Sequence, residues 1–223
     1  MSRIQAVIFD MDGVIIDSQT RWIPIAEELY SHLFPGYDQE QILALSKEIH
    51  GISFADEYIV LRDKHGLDIT QKDFFDLYGK SAQKLYHEQA VLSPHLLDFL
   101  DSLKPSYQIG LASNSFRPWI DIVLQRFELS VYFDVVTTAD DLKGGGKPSP
   151  EIFLLTAERL GVPASECVVI EDSIPGVTAA QAAGMLCIGY HGHSPVEHVA
   201  QADVKIKSFA EASEALAGLL KGI

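Results

Sequence analysis

Apolar residues recur along this chain in two rhythms. The first is the short unbroken run. "AVIF" (Ala6–Phe9), "YQIGLAS", "FDVVTTA", "CVVIED", "MLCIGY" and "ADVKI" each hold a few consecutive apolar positions and then stop on polar ones. Runs of this length predict strands buried on both faces. Helical patterns lie between them, starting near Pro94, Pro118, Pro150, at "GVTAAQAAG" and near Ala210. Strands alternating with helices predict an α/β fold, a Rossmann-like doubly wound parallel sheet with helices on both faces.

The second rhythm fills the stretch from about Gln19 to Ala90. Trp22, Ile25, Ala26, Leu29 and Leu33 stand at helical spacing until "FPGYD" interrupts them. Helical patterns follow over about Gln39–Ile49, Phe54–Lys64 and Gln71–Glu88, with no strand pattern among them. This block reads as an all-helical insertion. The expected organisation is a core of residues 1–16 and 92–223, interrupted by a helical domain of residues 17–91.

Charge narrows the range of partners. Of 223 residues, 31 are acidic and 17 basic, a formal charge of −14. Without a Lys/Arg stripe to reverse it locally, this argues against nucleic acid and against an anionic membrane surface. The first residues run directly into a strand, and no apolar run reaches a membrane span. Cys167 and Cys187 both lie in apolar, strand-like runs and read as buried, reduced thiols. A cytoplasmic protein, monomeric or weakly dimeric, is expected.

In open parallel sheets, ligands bind at the carboxyl ends of the strands. Those ends carry "DMDG" (Asp10–Gly13), "SNS" (Ser113–Ser115) and "EDS" (Glu171–Ser173), while "GGGKPSP" follows a further strand through its loop. Asp10, Asp12, Glu171 and Asp172 are four carboxylates, and Lys147 is the one obvious cation among them. Such a cluster needs a counter-charge, and its oxygen donors suit Mg²⁺. The Ser113 hydroxyl, the Asn114–Ser115 turn before a helix and the Lys147 ammonium add the elements of a phosphate site. A strand-end carboxylate such as Asp10 can attack phosphorus, with Asp12 placed to move protons.

Four segments in order, "FDMDGVIIDS", "ASNS", "GKPSPEIF" and "VIEDSIPGV", resemble the four motifs of the haloacid dehalogenase-like superfamily, most nearly its β-phosphoglucomutase-like phosphatases with an α-helical cap. The resemblance implies that Asp10 is nucleophile and metal ligand. It makes Asp12 the general acid/base, with its backbone carbonyl on Mg²⁺. Ser113, Asn114 and Lys147 become phosphate-binding, Lys147 also catalytic, and Glu171 and Asp172 complete the metal site. Asp12 favours phosphoryl chemistry, because dehalogenase members lack this second Asp.

Two positions depart from the sugar-phosphate mutases of the family. Phe54 follows "GIS" where they place an Arg, and Trp22 stands where they carry a His, as in some hexose-phosphate phosphatases. The reading is a Mg²⁺-dependent phosphatase acting on a small phosphorylated metabolite, a sugar phosphate by preference, through an aspartyl phosphate. A mutase, or a non-catalytic binding protein on the same fold, stays open as an alternative.

The less specific readings are structural. Asp17 and Ser18 suit a helix N-cap. Trp22, Phe54 and Tyr58 suit a helical core as well as a pocket wall. "HGHS" (His191–Ser194) is too small a set for a transition-metal site.

Overall fold

The computed structural model describes residues 4–49, 54–143 and 145–222. Its main sheet has six strands: β1 (Ala6–Phe9), β4 (Gln108–Ser113), β5 (Val135–Thr138), β6 (Cys167–Glu171), β7 (Leu186–Tyr190) and β8 (Val204–Ile206). Their spatial order is β5-β4-β1-β6-β7-β8, and every pairing is parallel. All four residues of β1 are buried, as a continuous apolar run in a doubly covered sheet requires.

Helices α5 (Leu96–Leu103), α6 (Arg117–Arg126), α7 (Glu151–Leu160), α8 (Ile174–Ala182) and α9 (Ala212–Gly222) accompany this sheet. In α5, Leu96, Phe99, Leu100 and Leu103 are buried, one face of a 3.6-residue period. α8 starts where Ser173 accepts a hydrogen bond from the Gly176 N–H. Phe9 packs among Phe99, Phe133 and Phe209, with ring centroids 6.0–6.2 Å apart.

The topology singles out one place. From β1 the chain builds outward through β4 and β5, then returns to the other flank through β6, β7 and β8. The order therefore reverses at β1, where an open α/β sheet leaves a crevice. Phe9 pairs with Leu111 on one side and Ile170 on the other, so the ends of these three strands lie level.

The chain divides into two compact units, residues 1–19 with 90–223, and residues 20–89. Two short strands, β2 (Ile16–Asp17) and β3 (Val91–Leu92), form an antiparallel ribbon at the joints. The sequence shows no strand here, because two residues carry no periodicity. The expected joints at 16/17 and 91/92 fall inside this ribbon.

The helical unit holds α1 (Gln19–Leu33), α2 (Gln39–Ile49), α3 (Phe54–His65) and α4 (Gln71–Lys84). Leu85–Gln89 continues α4 as a π-helix, where the sequence predicts α-helix to Glu88. Ala26, Leu29, Tyr30, Ile42, Leu45, Ile49, Leu61 and Phe74 form its core. Trp22 packs on Tyr78 at 4.8 Å between centroids, and buried Tyr58 donates to the Ile69 carbonyl at 3.1 Å. Both aromatics therefore contribute to the packing of this unit. Gly51–Ser53 lie outside the described residues, as does the Phe54 side chain.

Candidate active site

Asp10 follows β1 directly and is 6% exposed, its N–H donating to the Ile170 carbonyl at 3.0 Å. Lys147 reaches it from the loop between β5 and α7. The ammonium donates to Asp10 Oδ1, to Glu171 Oε1 at 2.6 Å and to the Ala112 carbonyl at 3.0 Å. Three acceptors match its three donors. The Lys147 side chain is 4% exposed.

Burial alone would lower the Lys147 pKa. The charges of Asp10 and Glu171 outweigh it and hold the pKa above the usual lysine value. Asp10 is pushed up to about 7, chiefly by burial. Lys147 opposes that rise, while Glu171 and Asp12 add to it.

Glu171 has both oxygens engaged. Oε1 meets Lys147, and Oε2 accepts from the Asp172 N–H at 2.8 Å and from the N–H and hydroxyl of Ser173 at 2.9 Å each. The sequence counts Glu171 with the metal ligands. In the structure its oxygens meet Lys147 and the start of α8, the donors nearest to this buried carboxylate.

Asp172 is 1% exposed, and its pKa lies well above the usual carboxylate range. Burial is the main cause, followed by repulsion from Glu171 and Asp10. Gln19 Nε2 donates to its Oδ2 at 2.6 Å. Gly13 lies against the same carboxylate with φ +80, and a β-carbon there would run into Asp172 Oδ2. That position needs glycine for both backbone and space.

The second motif has a division of labour that the sequence did not reveal. Ser113, 1% exposed, accepts from the Ser115 N–H at 3.1 Å. Ser115 donates its hydroxyl to Asp12 Oδ2 at 2.7 Å. Asn114 Oδ1 accepts from the Lys147 N–H at 3.0 Å, so its side chain clamps the backbone that delivers the lysine. Gln19 is absent from the sequence-derived site, and Ser115 enters it only through the backbone of the Asn114–Ser115 turn. A hydroxyl beside Ser113 was the one available signal, and Gln19 had none.

The structure thus gathers Asp10, Asp12, Ser113, Asn114, Lys147, Glu171 and Asp172 at the reversal point of the sheet. Among these residues the Lys147 ammonium meets Asp10 and Glu171, and its charge also acts on Asp172. The raised values of Asp10 and Asp172 come first from burial and then from the neighbouring carboxylates. Hard oxygen donors short of positive charge fit a divalent cation. Among the described residues, no three His, Cys, Asp or Glu side chains close around a metal by themselves. That is compatible with Mg²⁺, which is usually held by one or two carboxylates together with water and substrate phosphate. Cys167 and Cys187 are free and buried, and burial pushes both thiols above their usual pKa.

A family model described as haloacid dehalogenase-like hydrolase matches residues 4–184. The chain is 33% identical over 184 residues to the phosphorylated carbohydrates phosphatase of Thermotoga maritima, with 82% of each protein covered. It is 30% identical over 189 residues to the fructose-1-phosphate phosphatase YqaB of Escherichia coli, covering 82% of this chain and 94% of that one. A β-phosphoglucomutase structure from Clostridium difficile superposes with a TM-score of 0.75 at 24% identity, over 98% of this chain and 99% of the other. The chain belongs to the haloacid dehalogenase-like hydrolase family. It falls in the β-phosphoglucomutase-like phosphatase branch, and its enzyme class is phosphoric monoester hydrolase.

Proposed function

We propose that this enzyme is a Mg²⁺-dependent phosphatase of a small phosphorylated metabolite, a sugar phosphate by preference, working through an aspartyl phosphate on Asp10. The observation that carries the reading is the three-way seat of Lys147 on Asp10, Glu171 and the Ala112 carbonyl at the sheet's reversal point. It keeps a carboxylate buried and aimed while balancing its charge. The named substrates of the two phosphatase relatives support a phosphorylated carbohydrate.

In the first step an Asp10 carboxylate oxygen bonds to phosphorus as the ester P–O bond breaks. Asp12 gives its proton to the departing oxygen. In the second step water attacks the aspartyl phosphate, Asp12 takes the water's proton, and the Asp10 carboxylate is released with inorganic phosphate. Ser115 holds the Asp12 carboxylate for both transfers. Lys147 and Ser113, with backbone N–H groups of the turn before α6, bind the phosphoryl oxygens. Asp10, Asp172 and the Asp12 carbonyl would hold Mg²⁺, which supplies positive charge for the phosphoryl oxygens and the carboxylates.

The test uses Asp10→Asn, which keeps size and removes the attacking charge. Hydrolysis of an aryl phosphate should fall by about 10³-fold or more with the melting profile retained. Near-normal turnover in this variant excludes the covalent route.

A further inference from the structure

The loop His191–Ser194 has no part in that chemistry, yet its polar groups converge on the ribbon at the joints. β2 and β3 pair through Ile16 with Leu92 and Asp17 with Val91. Just past β3, the Ser93 N–H donates to the Ile15 carbonyl at 2.9 Å, and its hydroxyl donates to the Val14 carbonyl at 2.5 Å. The hydroxyl has one proton, so toward His193 it can only accept. His193 Nε2 lies 2.8 Å away and is therefore the donor.

This sets the tautomer of the neutral imidazole and leaves Nδ1 facing Asp17 Oδ2 at 3.9 Å. Ser93 is 2% exposed, and the side chains of His193 and Asp17 are 12% and 10% exposed. The loop itself is anchored at both ends. The His191 N–H donates to the Ile206 carbonyl at 2.9 Å, and the Ser194 hydroxyl donates to the Asp172 carbonyl at 3.2 Å. Gly192 lies on the Tyr190 hydroxyl so closely that a β-carbon would run into it. The imidazole is thus held at a fixed height above β7, with Tyr190 packed on it at 5.5 Å between centroids.

We propose that His193 is a positioning residue that holds Ser93, and through the bonds of Ser93 to Ile15 and Val14 both linker strands, against the carboxyl edge of the sheet. The ribbon then moves with the active site. The bond from the neighbouring Ser194 to the Asp172 carbonyl places fastening and site on one support. Burial lowers the His193 pKa, against the pull of Asp17.

The test is hydrogen exchange with mass-spectrometric readout on the full chain, without substrate, so it stands apart from the phosphatase reading. In His193→Ala, peptides covering residues 14–18 and 90–95 should exchange about five- to tenfold faster, the loss of one buried hydrogen bond. Peptides covering β1 and β6 should not change. His193→Gln places an amide nitrogen near Ser93 and should restore the wild-type rate. Unchanged ribbon exchange in His193→Ala overturns the proposal, as does an equal acceleration throughout the chain or a failure of Gln to rescue. If the alanine variant does not fold, His193→Phe, which keeps a ring against Tyr190 and removes the hydrogen bond to Ser93, is read by the same peptides and the same criterion.

Discussion

Glu57 is a carboxyl group placed where its charge is costly. It is 5% exposed in the helical unit, and the Tyr30 hydroxyl donates to its Oε1 at 2.9 Å. Burial pushes its pKa from 4.5 to about 7, and the Tyr30 hydrogen bond offsets only part of that. The folded protein thus holds the Glu57 proton more tightly than the unfolded chain does. Its contribution is fully present below pH 4.5, falls as pH rises toward 7, and is lost above that. The interval from 4.5 to about 7, at about 1.4 kcal/mol per pH unit, amounts to about 3 kcal/mol.

Glu57→Gln removes the charge and keeps an oxygen for Tyr30. Its stability relative to wild type should improve by about 3 kcal/mol between pH 4 and pH 8.5. Other carboxylates titrate in both proteins and cancel in the difference. The assay is urea denaturation followed by Trp22 fluorescence in a Trp119→Phe background, since Trp22 packs on Tyr78 within this unit. With a urea dependence of about 1–3 kcal/mol/M, the variant's midpoint should gain roughly 1–3 M over wild type across that pH range. A difference that stays flat with pH would refute the reasoning, because the cost would then not be one of ionisation.

Mg²⁺ should raise the melting temperature and be required for turnover, because Asp10 and Asp172 are short of a counter-charge; chelation that leaves both unchanged contradicts this. Lys147→Met should cost about 3–5 kcal/mol in metal-free protein at pH 8, since it strips two buried carboxylates of their partner. The loss should shrink at pH 5, where Asp10 carries its proton, and urea denaturation at the two pH values reads the contrast.

The sheet and the polar residues at its strand ends were legible in the sequence because both are local. A run such as "AVIF" declares a buried strand, and a polar residue after it falls at a carboxyl end by construction. Asp10, Ser113, Glu171 and Asp172 were found this way. What stayed hidden depends on contacts between distant residues. Nothing near Gln19 signals that it meets Asp172, 153 residues away, and nothing near Ser115 signals Asp12, 103 residues away. Glu57 lies on a helix whose other polar residues give no hint that this one is buried. The use of Glu171 followed the same logic: its charge was readable, while its engagement with Lys147 and the start of α8 was not.

Charge also constrains how substrate arrives. The chain carries −14, and a phosphate monoester is a dianion at pH 8, so the two repel at long range. In the proposed mechanism the attraction that binds substrate is short-range, from the Lys147 ammonium, backbone N–H groups and a bound cation. Salt screens the two unequally: at 0.15 M the Debye length is about 8 Å, against about 30 Å at 0.01 M. Distant repulsion is therefore removed first, while contacts at hydrogen-bonding distance lose little. For an aryl phosphate at saturating Mg²⁺, kcat/KM should rise, about twofold or more, as NaCl goes from 0.01 to 0.15 M. A fall over the same range would show that a local positive field at the pocket mouth outweighs the acidic surface.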